Sequence, residues 1–173
     1  MEMKLRFYGD PVLREKAEKV TEFDEELHKI IEDMATLMYK EDGAGLAGPQ
    51  VGLKKQIFIE DDGTGSGWRA YINPEILYFS DEKDIAEEGC LSIPDIFEDV
   101  ERSKMIKVRY QLVDGTQKEE EISSYLARII QHETDHLNGV LFIDHISKLK
   151  KRLLKKKLDV IKEKAKEVYM NAG

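Results

Sequence analysis

Two histidines and a glutamate form the segment of this sequence with the clearest chemical meaning. His132 and His136 are four residues apart, so a helix would place them one turn apart on the same face. Two imidazoles in that arrangement can bind one metal ion, and Glu133 directly follows the first of them. The pattern therefore predicts a hydrolytic metal site at which Glu133 acts on a metal-bound water.

Glu133 also has an unusual place on the helix that would carry it. The helix is predicted to start at Ser123 or Ser124 as the N-cap and to run to about Asn138, with Gly139 ending it. Apolar side chains recur along one face, and Glu133 falls in the middle of them. They are Leu126, Ile129, Ile130 and Leu137. Burial would raise the pKa of such a carboxyl group, which suits a group that accepts and then returns a proton.

The third metal ligand is open at this point. A hydrolytic metal usually takes three protein ligands plus water. Phe142 occupies the position at which one class of zinc hydrolases has a third histidine. Glu163 and Glu167 are possible carboxylate ligands, although they lie in a lysine-dense segment that is expected to face solvent. The remaining strong ligand type is a thiolate, and Cys90 is the single cysteine of the chain.

The elements that must position these residues follow no regular alternation of strand and helix, so the predicted class is α+β. We expect one domain, with antiparallel or mixed sheets packed around the central His-Glu-x-x-His helix and a C-terminal amphipathic helix. Before the central helix, the patterns predict a helix, a glycine-rich irregular segment, four strands and a hairpin turn. These are 24–39, 42–52, 56–60, 70–79 (interrupted at Asn73-Pro74), 106–112 and 116–122, with the turn at Asp114-Gly115. After it, we expect a short strand over 140–143 and a basic helix over 148–170.

Composition limits the class of protein. The 173 residues are 41% hydrophobic and 36% charged, too apolar for disorder, and no apolar run approaches the roughly 20 residues of a membrane span. Residues 1–6 contain no hydrophobic signal core, and a single cysteine excludes an intramolecular disulfide. We therefore expect a cytoplasmic protein without membrane contact.

Charge is distributed unevenly along the chain. Residues 148–173 contain ten Lys and Arg against three acids, so this segment is +7 and the rest of the chain is −15. We expect residues 1–147 to form the metal-dependent catalytic part and residues 148–173 a basic helix of the same domain. Such a basic segment favours contact with a polyanion such as RNA.

Three blocks of the sequence together resemble the peptide deformylase family. They are Gly43–Gly52 (GAGLAGPQVG), Glu88–Ser92 (EGCLS) and Gln131–Gly139 (QHETDHLNG), and the opening Gly9–Arg14 (GDPVLR) is also similar. One departure is Gly48, which stands where alanine is usual in the family. The resemblance spans most of the chain and implies removal of the formyl group from the N-terminal formyl-methionine of new proteins, with release of formate.

The resemblance also assigns roles to individual residues. It implies that Cys90, His132 and His136 bind one divalent metal ion, with Fe²⁺ as the physiological ion and Zn²⁺, Ni²⁺ or Co²⁺ as replacements. Glu133 would be the general base and then the acid. The side-chain amide of Gln50 and the backbone N–H of Leu91 would stabilise the oxyanion.

Substrate binding is expected along the backbone. Gly43, Ala44, Gly45 and Gly89 would let an N-formylmethionyl peptide approach as an added strand, so that recognition is independent of sequence beyond the first residue. Arg102 and Glu88 could form a supporting pair, and Asp135 could orient a histidine. The resemblance also favours ribosome contact through the basic C-terminal helix.

Two rival functions have distinct requirements. A generic metallopeptidase would use the same chemistry on internal peptide bonds, but its third ligand should be His or Glu. A non-catalytic module that binds RNA through the basic segment would be expected to lack Glu133 or Gln50, and both are present.

Overall fold

The computed structural model describes residues 2–171. Residue 1 of the predicted segment 1–147 and residues 172 and 173 of the predicted segment 148–173 lie outside the described residues. It contains seven strands and four α-helices over that range. In chain order these are α1 (Glu25–Lys40), β1 (Gly45–Ala47), β2 (Ile57–Glu60), β3 (Arg69–Phe79), β4 (Lys83–Cys90), β5 (Ile93–Ser103), β6 (Met105–Gln111), β7 (Gln117–Ser123), α2 (Ser124–Leu137), α3 (Lys148–Leu153) and α4 (Lys155–Asn171). Short 3₁₀ helices cover Pro11–Arg14, Gly48–Val51 and Phe142–His145.

The strands form two separate antiparallel sheets. One has five strands in the order β1-β2-β3-β6-β7, and the other is the β4–β5 hairpin. Because side chains alternate across a strand, β2 sends Ile57 and Ile59 towards α1 and Phe58 towards α2. The five-stranded sheet therefore lies between the two helices, and the α+β prediction with a central α2 is confirmed.

The hairpin packs on a third apolar cluster. Ile93, Ile96 and Val100 of β5 are buried there together with Phe142 and Ile143. Leu158 and Ile161 of α4 close the cluster, so the C-terminal helix is docked on the domain through its apolar face. The basic segment is broken at Leu154, which separates α3 from α4.

Some elements differ from their predictions. The segment 140–143 is not a strand: Phe142–His145 form a 3₁₀ helix, because the Asp144 carboxylate accepts the N–H of Leu141 at 2.9 Å and turns the backbone. Strand β3 runs through Asn73-Pro74 without a break, because Asn73 takes a left-handed conformation (φ 51°) at a bulge. Part of the predicted irregular segment 42–52 is strand β1.

No helix within residues 2–171 combines the length and the apolar character that crossing a membrane requires.

Candidate active site

One cysteine and two histidines converge at the contact between the β4–β5 hairpin and α2. Cys90 ends β4, while His132 and His136 lie one turn apart on α2. Sγ of Cys90 is 3.3 Å from Nε2 of His136, and the donor atoms of the three residues all lie within 4.8 Å of one another. Within the described residues 2–171, this is the single group of three His, Cys, Asp or Glu side chains that comes this close.

The donor set fits a divalent transition metal. Bond lengths of about 2.0–2.3 Å to nitrogen and sulfur in a tetrahedral site separate the ligand atoms by about 3.5 Å, close to the observed Sγ–Nε2 distance. The alternative ligands lie elsewhere. Phe142 is a buried core residue whose ring stacks on His132 at 6.0 Å, and Glu163 is exposed on α4, where it binds Lys166.

Glu88 fixes the orientation of His132. Its Oε1 lies 2.9 Å from Nδ1 of His132, and Arg102 donates from Nη2 to the same oxygen and from Nε to Oε2, both at 2.9 Å. Burial alone would raise the pKa of Glu88, but the hydrogen bonds from Arg102 and His132 outweigh it and hold that pKa well below its usual range. The carboxylate is therefore ionised and accepts Nδ1–H, which leaves Nε2 of His132 for the group around Cys90.

Glu133 is buried, as its place on the apolar face predicts. The residue is 2% exposed, and burial raises the pKa of its carboxyl group to about 7. Charges nearby act in both directions: His132 favours the ionised form and Glu88 opposes it. A carboxyl group poised near neutrality can accept and return a proton at physiological pH.

Gln50 presents its amide to the same place. Its Oε1 accepts the backbone N–H of Ala47 at 3.0 Å, which fixes which way the amide points. Its Nε2 donates to Oγ of Ser92 at 3.1 Å and lies 3.5 Å from Sγ of Cys90. Gln50 is 1% exposed, so this N–H₂ group is held in a fixed position beside the thiol.

A cavity of about 730 Å³ opens over these groups. Every predicted site residue except His136 lines it: Gly43, Ala44, Gly45, Gln50, Gly89, Cys90, Leu91, His132 and Glu133. His136 lies behind them and is 1% exposed. Strand β1 is the free edge of the five-stranded sheet and forms part of the cavity wall.

Three of the predicted site glycines have close neighbours within the fold. A Cβ atom at Gly43 would stand 2.6 Å from Cδ1 of Leu91, and one at Gly89 would stand 2.5 Å from the ring of Phe97. A Cβ atom at Gly45 would stand 2.8 Å from Oε2 of Glu133. Glycine at these positions thus leaves space for the side chains of Leu91, Phe97 and Glu133. This role is additional to the close approach of the substrate that the sequence predicts.

Sequence reasoning missed two residues at this site. Arg128 and Ser92 were not singled out. A signal existed for Arg128: like Glu133, it is a charged residue among the buried residues of α2. The Arg102–Glu88 pair is present as predicted. Asp135 binds a histidine, but that histidine is His145, at 2.8 Å, and neither His132 nor His136.

Comparisons with known proteins agree with one another. The polypeptide deformylase family model matches residues 3–152. The peptide deformylase of Thermotoga maritima is 56% identical over 155 residues, 90% of this chain and 93% of that protein. The enzyme of Fusobacterium nucleatum is 44% identical over 170 residues, 97% of each.

Solved structures give the same result. The crystal structure of the T. maritima peptide deformylase has a TM-score of 0.82 at 55% identity and covers 85% of this chain and 99% of its own. The structure of a Plasmodium falciparum peptide deformylase has a TM-score of 0.90 at 36% identity, and the match covers 95% of this chain and 98% of that chain. The chain belongs to the peptide deformylase family of metal-dependent hydrolases.

Proposed function

We propose that Cys90, His132, His136, Glu133, Gln50 and Leu91 together remove the formyl group from N-formylmethionyl peptides and nascent chains, releasing formate. The observation that carries this assignment is a converging Cys-His-His donor set, of which Cys90 and His132 line the same cavity as the buried carboxyl group of Glu133. The products are formate and the free amino group of methionine.

Sγ of Cys90 and the Nε2 atoms of His132 and His136 would hold one divalent ion. When bound, the ion supplies Lewis acidity, which polarises the formyl carbonyl and makes water a stronger acid. One thiolate and two neutral imidazoles leave a formal charge of +1 on the site, which preserves this effect. Glu88 keeps His132 in the tautomer that such binding requires.

Glu133 moves the proton. Its carboxylate accepts a proton from the attacking water and then delivers it to the amide nitrogen, because that nitrogen must leave as an amine. The pKa of about 7 that burial gives this group makes both transfers possible near neutral pH. No other acid among the residues that line the cavity is as deeply buried: Glu88, at 7% exposed, is ionised and occupied by its arginines.

Two N–H groups would stabilise the oxyanion. Nε2 of Gln50 is fixed beside Cys90, because Oε1 of the same amide accepts the N–H of Ala47. The backbone N–H of Leu91, which follows Cys90 directly in the chain and lines the same cavity, would be the second donor. Donors held in place before the reaction need no rearrangement as negative charge develops.

The substrate backbone would add to the free edge of β1. Gly43, Ala44 and Gly45 line the cavity along that edge, and Gly89 lines it from the hairpin. Main-chain pairing with an edge strand is independent of side chains, which suits an enzyme that acts on many nascent chains.

We further propose Fe²⁺ as the physiological ion, with Zn²⁺, Ni²⁺ and Co²⁺ as functional replacements. The mixed thiolate and imidazole donor set accepts each of these metals. Anaerobic purification followed by metal analysis tests this proposal: iron at one equivalent per chain supports it, and zinc alone under the same conditions contradicts it.

A second proposal concerns partners. The lysines of α3 and α4 would contact ribosomal RNA, which would bring the enzyme to nascent chains in the cytoplasm. Leu158, Ile161 and Ala165 are the buried residues of α4, whereas Lys156, Lys157, Lys162 and Lys164 of α4 and Arg152 of α3 are exposed. The charge of +7 in residues 148–173 on an otherwise acidic chain supports this proposal.

Substitution of the base tests the catalytic assignment. Glu133→Gln keeps the shape of the side chain and removes its proton-accepting carboxylate, so formate release from a formyl-Met peptide should fall by about 10²–10⁴-fold with metal content unchanged. An unformylated peptide assayed for new amino termini tests the metallopeptidase alternative, which would cleave internal peptide bonds. Deformylation by Glu133→Gln at the wild-type rate would contradict the assignment.

A further inference from the structure

Arg128 is a buried arginine that has no role in the proposed deformylation reaction. It lies on α2 one turn before His132 and is 5% exposed. Its guanidinium group donates three hydrogen bonds to the β4–β5 hairpin: Nη1 to Oε2 of Glu88 at 2.6 Å and to the carbonyl of Val100 at 2.8 Å, and Nη2 to the carbonyl of Asp84 at 2.8 Å. Both strands of the hairpin are therefore bound by one side chain of α2.

The position of this hairpin decides whether the donor set forms. Cys90 comes from β4, whereas His132 and His136 come from α2. The hairpin has no backbone pairing with the five-stranded sheet, and a two-stranded sheet alone is only marginally stable. Its apolar contacts supply attraction without direction, whereas a planar guanidinium group with three acceptors fixes a relative orientation.

A second arginine makes the reciprocal connection. Arg102 of β5 donates to Asp135 of α2 at 2.7 Å and to both oxygens of Glu88. Arg128 adds its bond to Oε2 of Glu88 from the helix side, so that Oε1 is directed at Nδ1 of His132. Glu88 is thus held from both elements.

We propose that Arg128 is a positioning residue: it fixes the Cys90 hairpin and the Glu88 carboxylate against α2, and thereby sets the distance between the thiolate and the two imidazoles. This inference rests on the proposed metal site. It assigns to Arg128 an effect on the metal site that goes beyond a contribution to folding.

Two substitutions separate charge from geometry. Arg128→Met keeps the aliphatic length and removes all three hydrogen bonds, whereas Arg128→Lys keeps the charge at a single centre that cannot bind three acceptors spread over a plane. Losing the group that contacts a metal ligand typically changes metal affinity by about 10–100-fold; Arg128 acts on that group, Glu88, so Arg128→Met should lie near the lower end of this range. Arg128→Lys should lie between it and the wild type.

The experiment uses the Co²⁺-loaded full-length chain. It records the visible and near-ultraviolet absorption of the cobalt–thiolate site, the rate of cobalt release to a chelator, and kcat and KM for a formyl-Met peptide. Arg109→Met is the matched control, because Arg109 binds Glu75 at 2.8 Å across β3 and β6 and does not contact the hairpin. We expect Arg128→Met to show altered absorption, faster release and a lower kcat with a smaller change in KM, and the control to match the wild type.

The opposite results are distinguishable. Wild-type absorption and wild-type release rates in both Arg128 variants, even with a lower Tm, would show that Arg128 serves folding alone and would overturn the inference. If Arg128→Met does not fold, Arg128→Lys decides by the same readouts. A wild-type chain that gives no cobalt–thiolate absorption overturns the proposed metal site and this inference with it, whereas wild-type absorption with unaffected variants overturns this inference alone.

Discussion

Gly45 and Glu133 are in direct contact across the β1–α2 interface. A Cβ atom built on Gly45 would lie 2.8 Å from Oε2 and 2.9 Å from Cδ of the Glu133 carboxylate. Backbone strain plays no part here, since Gly45 is an ordinary residue of β1 and is absent from the positive-φ glycines. The glycine at this position makes room for the base.

Gly45→Ala should therefore act on Glu133 rather than on the metal ligands. The added methyl group would stand too close to the carboxylate of Glu133, a residue that is 2% exposed, so the proton acceptor moves away from the water it must reach. We expect formate release to fall by about 10–10²-fold, since misplacement by 1 Å is enough for that loss. Metal content should stay at the wild-type level.

A double-mutant comparison locates the effect of Gly45→Ala. In a Glu133→Gln background the base is already lost, so adding Gly45→Ala should change the residual rate little. Additive losses in the double variant would show that Gly45 acts elsewhere, for instance on the peptide.

A separate prediction concerns the side-chain amide of Gln50. Gln50→Ala removes the Nε2 donor beside Cys90, and kcat should fall by roughly 10²–10³-fold, the usual cost of one oxyanion donor, with KM nearly unchanged. Ser92→Ala is the matched control, because it removes only the hydroxyl that accepts from Nε2. An effect of Gln50→Ala confined to KM would assign the amide to ground-state binding.

The Glu133 helix could be predicted from local patterns, and the Cys90 hairpin could not. The i, i+4 histidines and the apolar face around Glu133 are properties of one short segment, and the structure places that segment at the centre of the fold. Strand β4, Lys83–Cys90, carries polar residues on both faces and shows no alternation, so nothing local marks it as a strand. Its position is fixed by Arg102 and Arg128, and one sequence cannot show which distant charges pair.

The error over 140–143 has a similar origin. Four apolar residues in a row are compatible with a strand, but Asp144 accepts the N–H of Leu141 and forms a 3₁₀ helix instead. Arg14 holds that carboxylate from the other end of the chain, with Nη1 at 2.6 Å from Oδ2. The carboxylate that forms this local turn is therefore also held by a residue 130 positions away in sequence.

This pair gives a pH-dependent prediction for stability. Burial alone would raise the pKa of Asp144, but Arg14, the Leu141 N–H and Lys151 outweigh it and hold that pKa below its ordinary value of 3.8. A carboxyl group with a lowered pKa stabilises the folded state above about pH 3.8 and loses that contribution as the pH falls through the folded-state value. Asp144→Asn should lower the free energy of unfolding by about 1 kcal/mol at pH 7, because the pair is partly exposed.

Urea unfolding at pH 7 and at pH 3 tests the sign. The difference between wild type and Asp144→Asn should be largest at pH 7 and smaller at pH 3. Glu163→Gln, which weakens an exposed pair with Lys166 on α4, is the control and should change stability little at either pH. An equal deficit for Asp144→Asn at both pH values would attribute the effect to lost packing instead of charge.

Ribosome contact is best tested by charge reversal within the intact helix. Truncation after Ser147 would remove Leu158 and Ile161 from the core, so loss of binding could reflect loss of fold. Lys156, Lys157 and Lys164 are exposed and, within residues 2–171, have no acid within ion-pair distance, so changing all three to Glu removes positive charge without breaking an ion pair. Formate release from a short formyl-Met peptide should be unchanged.

Co-sedimentation with ribosomes over a series of salt concentrations provides the measurement. Wild-type binding should weaken steeply with salt, because each neutralised phosphate releases counterions, and the triple variant should bind more weakly with a shallower salt slope. The control reverses Lys16, Lys19 and Lys118, which are also exposed but lie outside α3 and α4. If the control loses as much binding as the triple variant, binding depends on positive charge anywhere on the surface and the basic helix has no special part in it. If the wild-type chain does not co-sediment at low salt, the basic helix serves only to pack Leu158 and Ile161 against the hairpin.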